Sequence, residues 1–246
     1  MAKKQRLDKA IAMQGSLSRS EVKTLIRKGA VTVNGQVVKN ADFGVDFDSH
    51  TVAVQGKELS LSMHIYLMLN KPKGVVSASE DEKLPTVVDL VPKELWRKGL
   101  FPAGRLDKDT TGFVLITDDG EFAHDILSPK KHISKTYHAL VNGTITDEMV
   151  EGFAKGVTIG EDFTLPASLK KISSEEQGDW GEVILKEGMY HQIKRMFGAY
   201  GLKVLELKRV QMGKLPLDPN LEEGKCRELT AEELRLVSTR DESTEE

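Results

Sequence analysis

The amino-acid sequence predicts an α+β protein with a small, basic N-terminal domain and a larger domain built on a mixed, largely antiparallel sheet. Three observations support this prediction. A capped helix and a tight hairpin occur within residues 18–38, apolar runs separated by helical segments follow from residue 65, and positive charge is concentrated near the N-terminus. A chain of 246 residues can form two modest domains.

The basic segment covers residues 1–39. It carries nine basic and two acidic side chains, a net charge of +7, whereas the whole chain has a net charge of -3. A basic segment on an acidic protein favours an anionic partner such as a nucleic acid, because cations that bind phosphates release counterions. The alternative is that these basic side chains form a solvated helix face that binds no partner.

A helix is predicted from Ser18 to Lys28. Ser18 and Glu21 form a capping box at its start, and Gly29 is placed to end it. Cations recur along one side of this helix at every fourth residue, and such a row suits a phosphate backbone. These cations are Arg19, Lys23 and Arg27.

A hairpin is predicted over residues 31–38, around the turn dipeptide Asn34-Gly35. With an Arg-Leu-Asp-Lys segment at residues 6–9, the succession of two helices and a hairpin resembles the alpha-L module. This module binds RNA in a ribosomal protein and in several RNA-modifying enzymes. The resemblance implies an RNA-binding domain over residues 3–58, and residues 57–64 are interpreted as a short polar linker.

The second domain is predicted to begin with a strand at residues 65–69. Its most informative segment is Gly-Arg-Leu-Asp-Lys-Asp-Thr-Thr-Gly at residues 104–112, directly before an apolar strand. Asp107 therefore lies in a turn at the mouth of a buried strand, where a cation such as Arg105 could hold it ionised as a nucleophile. A turn aspartate that bonds its own backbone is the alternative interpretation.

The remaining elements are predicted from apolar runs and helix signals. A short helix is expected at residues 121–127, and strands are expected at residues 137–141, 181–185 and 203–207. Ile193, Met196, Phe197 and Tyr200 recur at helical spacing and predict a last helix that Gly201 ends.

Two cations on that last helix differ in direction. Lys194 lies at the edge of the apolar stripe and can reach a carboxylate inside the protein, whereas Arg195 points away from the stripe. The spacing therefore favours Lys194 as the partner of an inward carboxylate. Arg195 is the better candidate for RNA phosphate.

The segment at residues 104–112 matches the pattern Gly-Arg-Leu-Asp-x-x-Thr-x-Gly of the pseudouridine synthases, and the resemblance extends over most of the chain. Three further segments resemble other motifs of this family: Lys71-Pro72-Lys73-Gly74, Lys135-Thr136-Tyr137 and Gln192-Ile193-Lys194. The resemblance implies a catalytic domain over residues 65–240 that cleaves the glycosidic bond of a uridine, turns the base and rejoins it through carbon-5. Many relatives carry Arg where this chain has Lys194.

The same resemblance implies roles for individual residues. Asp107 would be the nucleophile, Lys194 would pair with it, and Tyr137 would stack on the target base and handle a proton. Arg105 would help to hold the flipped nucleotide. Further contacts to RNA are expected from six side chains, namely Arg19, Lys23, Arg27, Lys71, His191 and Arg195.

The expected partner is ribosomal RNA. Residues 190–197 look most like family members that modify small-subunit (16S) rRNA, but members acting on large-subunit rRNA share the catalytic motifs. A non-catalytic RNA-binding factor for ribosome assembly is the alternative from a different class. A hydrolase that uses Asp107 with Asp109 is disfavoured, because the sequence places no second acid across a cleft.

No cofactor is expected, because the product of the reaction is an isomer of the substrate. The six histidines lack the spacing of a metal site, so no metal is expected either. Cys226 has no cysteine partner, and no apolar stretch is long enough to span a bilayer. We therefore expect a cytoplasmic protein that does not bind membranes, and we expect it to be a monomer.

Overall fold

The computed structural model of this chain describes residues 4–15, 17–128 and 133–239. The described residues form two compact units. The first unit holds the residues up to Ile65 together with Val91–Leu100, and the second holds Tyr66–Leu90 and the residues from Phe101 onwards. The domain bounds 3–58 and 65–240 stay a prediction, and their outermost residues, 3 and 240, lie outside the described ranges.

The first unit combines two helices with short strands. In chain order its elements are β1 (Gln5–Arg6), α1 (Leu7–Ala12), α2 (Arg19–Arg27), β2 (Val31–Val33), β3 (Gln36–Val37), β4 (Gly44–Val45), β5 (Val52–Val54) and β6 (Lys57–Leu59). The strands β3-β2-β5-β6 form one antiparallel sheet, and β1 pairs with β4. Buried side chains of α1 and α2, including Leu7, Ile11, Val22 and Ile26, share one core with Val31.

The predicted capping box and hairpin are confirmed. The Ser18 hydroxyl accepts a hydrogen bond from the Glu21 amide, and the Glu21 carboxylate accepts one from the Ser18 amide. Asn34 and Gly35 form the hairpin turn with φ values of 49° and 78°. The linker predicted at residues 57–64 is wrong in part, because Lys57–Leu59 is strand β6 and pairs with β5. Three residues are too few to show strand periodicity.

The second unit holds the remaining elements. In chain order they are β7 (Tyr66–Lys71), β8 (Phe101–Ala103), β9 (Thr111–Thr117), α3 (Gly120–Leu127), β10 (Lys135–Val141), α4 (Asp147–Lys155), β11 (Thr158–Ile159), β12 (Asp162–Phe163), β13 (Ser168–Glu175), β14 (Gly178–Leu185), α5 (Gln192–Ala199), β15 (Val204–Met212), β16 (Leu215–Pro216), β17 (Cys226–Glu228) and α6 (Ala231–Ser238). The strands and helices predicted here are present, with ends that differ by a few residues.

Among the described residues, nine strands form one sheet in the second unit. Its order is β13-β14-β10-β15-β9-β7-β17, with β8 on β9 and β16 on β15. Within this sheet, as far as it is described, the strand pairs are antiparallel except for β9 and β15. The predicted α+β class with a mixed, largely antiparallel sheet is therefore confirmed.

The helices cover the sheet with apolar side chains. Met68, Phe113 and Met212 of the sheet share a core with Ile126 of α3 and Val237 of α6. On α5 the predicted stripe is confirmed at Ile193, Met196 and Phe197, which are buried, whereas Tyr200 is partly buried and follows the last helical residue. This packing fixes the face that α5 turns towards the rest of the unit.

None of the helices in the described ranges combines the length and the apolar character needed to cross a bilayer.

Candidate active site

Asp107 lies in the turn between β8 and β9, and backbone hydrogen bonds hold this turn on both sides. The Thr110 amide donates to the Asp107 carbonyl over 3.0 Å, and the Gly74 amide donates to the Lys108 carbonyl over 2.9 Å. The Ser77 hydroxyl lies 3.0 Å from both the amide nitrogen and the carbonyl oxygen of Leu106. The segment after β7 therefore fixes the backbone that carries Asp107.

Lys71 supports the same turn from inside the protein. Its side chain is fully buried, and Nζ donates to the carbonyl oxygens of Pro72, Lys108 and Thr110 over 3.0, 3.1 and 2.9 Å. Burial lowers the pKa of Lys71 to about 8. An ammonium group has three donors and all three are used within the protein here, so the structure gives Lys71 a supporting role in the turn, and its contact with RNA stays a prediction.

Two side chains from the start of α5 reach the Asp107 carboxylate. Lys194 Nζ lies 3.0 Å from Asp107 Oδ2, and His191 Nε2 lies 3.4 Å from Oδ1. The Asp107 side chain keeps 28% of its surface exposed. Helical spacing predicted the approach of Lys194 to a carboxylate inside the protein.

His191 was predicted to contact RNA phosphate, which stays a prediction, and the structure also places it beside Asp107. It caps α5 in the left-handed region, with φ 50° and ψ 34°, and this conformation turns its ring towards Asp107. Helical periodicity cannot predict that direction, because the residue lies outside the helix and its backbone is not helical. An unusual backbone conformation beside a carboxylate is a common feature of functional sites.

The loop before α5 is held by side-chain hydrogen bonds. Gln192 is buried, donates to Glu187 Oε1 over 2.6 Å, and accepts from the Met189 amide over 2.9 Å. Arg195 donates to the Ile159 carbonyl of β11 and lies 3.5 Å from Asp162 of β12. The structure thus ties Arg195 to this hairpin, and its contact with RNA stays a prediction.

One pocket brings the predicted catalytic residues together. Asp107, Tyr137, His191 and Lys194 line it, and Arg105 is exposed at its edge. Tyr137 lies on β10 and is 8% exposed. The apolar part of the lining comes from Leu106, Leu185, Met189, Ile193 and Leu207. Apolar walls, an aromatic ring and one carboxylate suit a flat heterocyclic base.

Two buried basic residues are neighbours of Tyr137 in the sheet, and the sequence interpretation missed their burial. Arg209 pairs with Tyr137 across β10 and β15, is fully buried and donates from Nε to the Phe113 carbonyl over 2.7 Å. Lys135 is also buried, and burial together with the charge of Arg209 lowers its pKa to about 8. A lysine and an arginine in strand patterns give no signal of burial in the sequence.

The cations predicted to bind RNA in the first unit are organised by a buried aspartate. Asp8 is fully buried and accepts from Arg6 over 3.1 Å and from Arg19 over 3.3 Å, while Lys23 Nζ lies 3.8 Å away. Burial raises the pKa of Asp8, but the hydrogen bonds and charges of Arg6 and Arg19 bring it below its usual value. Arg27 is exposed at the end of α2.

Metal ligands are dispersed in the part of the chain that the structure describes. Residues 4–15, 17–128 and 133–239 contain no group of three His, Cys, Asp or Glu side chains that could share an ion. The one cysteine, Cys226, is partly buried on β17, and burial raises the pKa of its thiol to about 11.

Two protein families match the chain. Residues 65–199 match the family RNA pseudouridylate synthase, and this range runs from the start of β7 to the end of α5 and includes Asp107, Tyr137 and Lys194. Residues 5–50 match the S4 domain, which covers the two helices and most strands of the first unit. The catalytic motif segments and the basic helix α2 fall within these two matches.

Relatives of known name cover nearly the whole chain. The uncharacterized RNA pseudouridine synthase YtzG of Bacillus subtilis is 44% identical over 95% of this chain and 98% of its own length. Ribosomal small subunit pseudouridine synthase A of Escherichia coli K12 is 43% identical over 94% of this chain and 99% of its own. A crystal structure of a pseudouridylate synthase is 36% identical, covers 94% of this chain and 99% of that chain, and has a TM-score of 0.63.

Proposed function

The chain belongs to the RNA pseudouridylate synthase family, carries an S4 domain and is a pseudouridine synthase, and we propose that it isomerises a uridine of small-subunit ribosomal RNA with Asp107 as the nucleophile. The choice of small-subunit rRNA is supported by relatives that are named for that substrate and cover nearly the whole chain. The observation that carries the choice of Asp107 is its contact with two cationic or potentially cationic side chains, Lys194 and His191, in one pocket.

The proposed chemistry needs an ionised carboxylate. Attack of Asp107 on the ribose C1′ would break the bond to N1, and the bonding electron pair would leave on the uracil. The base then turns, C5 attacks C1′, and the carboxylate is displaced. Loss of the C5 proton and gain of a proton at N1 complete an isomerisation without exchange of a group. Attack on the base instead of the ribose is the second route, and it needs the same ionised carboxylate.

Tyr137 is the proposed contact for the uracil ring. It is nearly buried and lines the pocket with Asp107, so its ring can stack on a base that has left the RNA helix. Its hydroxyl is a donor and an acceptor, which suits the transfer of a proton between C5 and N1. Arg105, exposed at the edge of the pocket, is proposed to hold the flipped nucleotide.

The S4 domain is proposed to bind the RNA around the target. Arg19, Lys23 and Arg27 lie along α2, and the first two keep 54% and 46% of their side-chain surface exposed while they contact Asp8. Their charges would attract phosphates without reading the sequence. The domain bounds 3–58 and 65–240 are part of this proposal.

The test is the conversion of uridine by the purified protein in transcripts of small-subunit and large-subunit rRNA. The wild type is expected to form pseudouridine at one site of the small-subunit transcript, and Asp107→Asn is expected to bind the transcript but form none. Conversion confined to the large-subunit transcript would refute the substrate. Full activity of Asp107→Asn would refute the nucleophile, and release of free uracil would indicate a hydrolase.

A further inference from the structure

Tyr190 is the most exposed of the large apolar side chains that the described residues place at the surface. Its exposed fraction is 76%. It lies at the rim of the pocket, because its neighbours Gly188, Met189 and His191 line that pocket around Asp107. An exposed aromatic ring beside the pocket is free to contact a bound ligand, because tyrosine combines an apolar ring with a polar tip.

The ring of Tyr190 is stacked on the ring of His191. The two ring centroids are 3.8 Å apart, and the rings are inclined by 18°. His191 in turn lies 3.4 Å from Asp107. One face of the Tyr190 ring is therefore covered by His191, and the high exposure of the residue leaves the other face open to solvent.

The backbone that presents this pair is fixed. His191 has the left-handed conformation, with φ 50°, which costs free energy for a residue other than glycine. The Arg195 side chain contacts the Tyr190 carbonyl over 3.4 Å. The two stacked rings are thus held at the rim of the pocket, next to the carboxylate.

We propose that Tyr190 is a stacking platform for the RNA base adjacent to the target uridine. This proposal rests on the proposed function, because it supposes that a uridine enters the pocket. When a uridine leaves its stack, the neighbouring base loses a stacking partner on one face. A tyrosine ring whose open face lies beside the pocket can replace that partner, and stacking of this kind accepts any base.

The first test uses two substitutions of Tyr190, one that removes the aromatic ring and one that keeps it. Tyr190→Leu keeps an apolar side chain but removes the aromatic ring, whereas Tyr190→Phe keeps the ring and removes the hydroxyl. We expect Tyr190→Leu to raise KM for the rRNA transcript about tenfold, with kcat changed by less than about twofold, because stacking contributes to RNA binding. Tyr190→Phe is expected to restore the KM of the wild type.

The second test observes stacking directly. Short RNAs that span the uridine converted in the transcript are made with 2-aminopurine on its 5′ side or its 3′ side. Binding of the wild type or of Tyr190→Phe is expected to quench the fluorescence of one of these RNAs, and binding of Tyr190→Leu is expected to leave that RNA brighter. A role confined to shielding His191 would not change the fluorescence of the RNA.

The outcomes separate this proposal from the proposed function. If the wild type converts no uridine in either rRNA transcript, the proposed function and the stacking platform are both refuted. If the wild type converts a uridine but Tyr190→Leu has unchanged KM and unchanged quenching, only the stacking platform is refuted. An equal rise in KM for Tyr190→Phe and Tyr190→Leu would also refute it, because the hydroxyl and not the ring would then bind the RNA.

Discussion

One set of side chains contacts the carboxylate of Asp107, and a different set of groups holds the backbone of its turn. Lys194 and His191 contact the carboxylate, whereas Lys71, Gly74 and Ser77 contact the backbone of its turn. Changes in the first set should therefore alter the chemistry with little effect on the fold. Changes in the second set should alter both.

The first prediction concerns the charge of Lys194. Lys194→Met removes the ammonium that lies 3.0 Å from Asp107 and should lower kcat about 100-fold, the scale on which one positioned charge acts in an active site. Lys194→Arg keeps the charge and should retain most of the activity. Single-turnover rates on the rRNA transcript measure both. Similar losses in the two variants would show that the charge is not what Lys194 contributes.

The second prediction concerns the titration of Lys71. Burial lowers its pKa from 10.5 to about 8 in the folded protein. Below about pH 8 this lysine is protonated in both states, so the unfavourable effect of burying the charge is fully present. Above about pH 8, Lys71 loses its proton in the folded protein but keeps it in the unfolded chain. The free energy of unfolding therefore rises with pH until Lys71 also loses its proton in the unfolded chain.

Lys71→Met provides the comparison, because it lacks this titration and shares the other groups. The free energy of unfolding of the wild type, relative to Lys71→Met, should increase between about pH 8 and about pH 10. Chemical denaturation at several pH values measures the difference. A difference that stays constant or decreases over this range would contradict a buried, protonated Lys71 at neutral pH.

Of the site residues, Lys194 follows from regular structure, whereas Asp107 lies in a turn and Tyr137 was expected from its family motif alone. Lys194 reaches Asp107 because helical spacing turns it to the edge of the apolar stripe. Lys71 was expected at the surface, since a lysine before proline and glycine is common in exposed turns, but it is the last residue of β7 and points inwards. His191 could not be placed, because its direction depends on a left-handed backbone.

Strand β9 directly follows the turn that contains Asp107. Its parallel pairing with β15 depends on a glycine. Gly112 pairs with Arg209 and has φ 97°. A Cβ atom at Gly112 would lie 2.2 Å from the Arg209 carbonyl oxygen. A side chain at this position would therefore force β9 and β15 apart and disturb the segment that holds Asp107.

The third prediction tests this close approach. Gly112→Ala should destabilise the protein by about 3 kcal/mol or more, because backbone strain adds to a clash with the neighbouring strand. Gly120→Ala is the matched control, since nothing lies within 4 Å of a Cβ at Gly120 and its φ is not positive. Thermal unfolding measures both. Equal melting temperatures for the two variants would contradict the steric role of Gly112.

Several elements with strong local signals were predicted and very short strands were not, and the helices α4 and α6 were also missed although Thr146 and Thr230 cap them. The helix after Ser18 and the hairpin at Asn34-Gly35 follow from capping and turn chemistry. Strand β6 was taken for a linker, because its three residues, which pair with the neighbouring strand β5, are too few to show strand periodicity. The short strands β11 and β12, which pair with each other across two residues, were not predicted either, because two residues are too few to show strand periodicity.

The whole molecule divides its charge between a basic N-terminal segment and an acidic remainder. In the first unit the cations Arg6, Arg19 and Lys23 surround the buried Asp8, so one carboxylate holds several cations in place. The sequence predicted the row of cations on α2 but not the aspartate beneath it, because a single acidic residue in a basic segment gives no sign of burial.

The fourth prediction concerns the salt dependence of RNA binding. Replacing Arg19, Lys23 and Arg27 together with glutamine should weaken binding and reduce the slope of log affinity against log salt by about 0.7 for each lost phosphate contact. Lys155→Gln, an exposed cation on α4, is the control and should leave the slope unchanged. An unchanged slope in the triple variant would rule out contacts between these cations and phosphates.

Point substitutions are preferable to deletion of the first domain. Val91–Leu100 clusters with the first unit although the chain has already entered the second, and buried Arg97 of this segment donates to Ser62 and Gln14. Removal of residues 1–58 would delete Gln14 and with it one hydrogen-bond partner of the buried Arg97. Contacts between segments so distant in the chain have no signature in the sequence, which explains why this segment was not predicted.

The most direct measurement is a site-by-site map of pseudouridine in rRNA from cells that lack the protein, compared after restoring the wild type or Asp107→Asn. The proposed function predicts that one small-subunit site is lost and that only the wild type restores it. A map that does not change when the protein is removed, or a site that Asp107→Asn restores, would contradict the proposal.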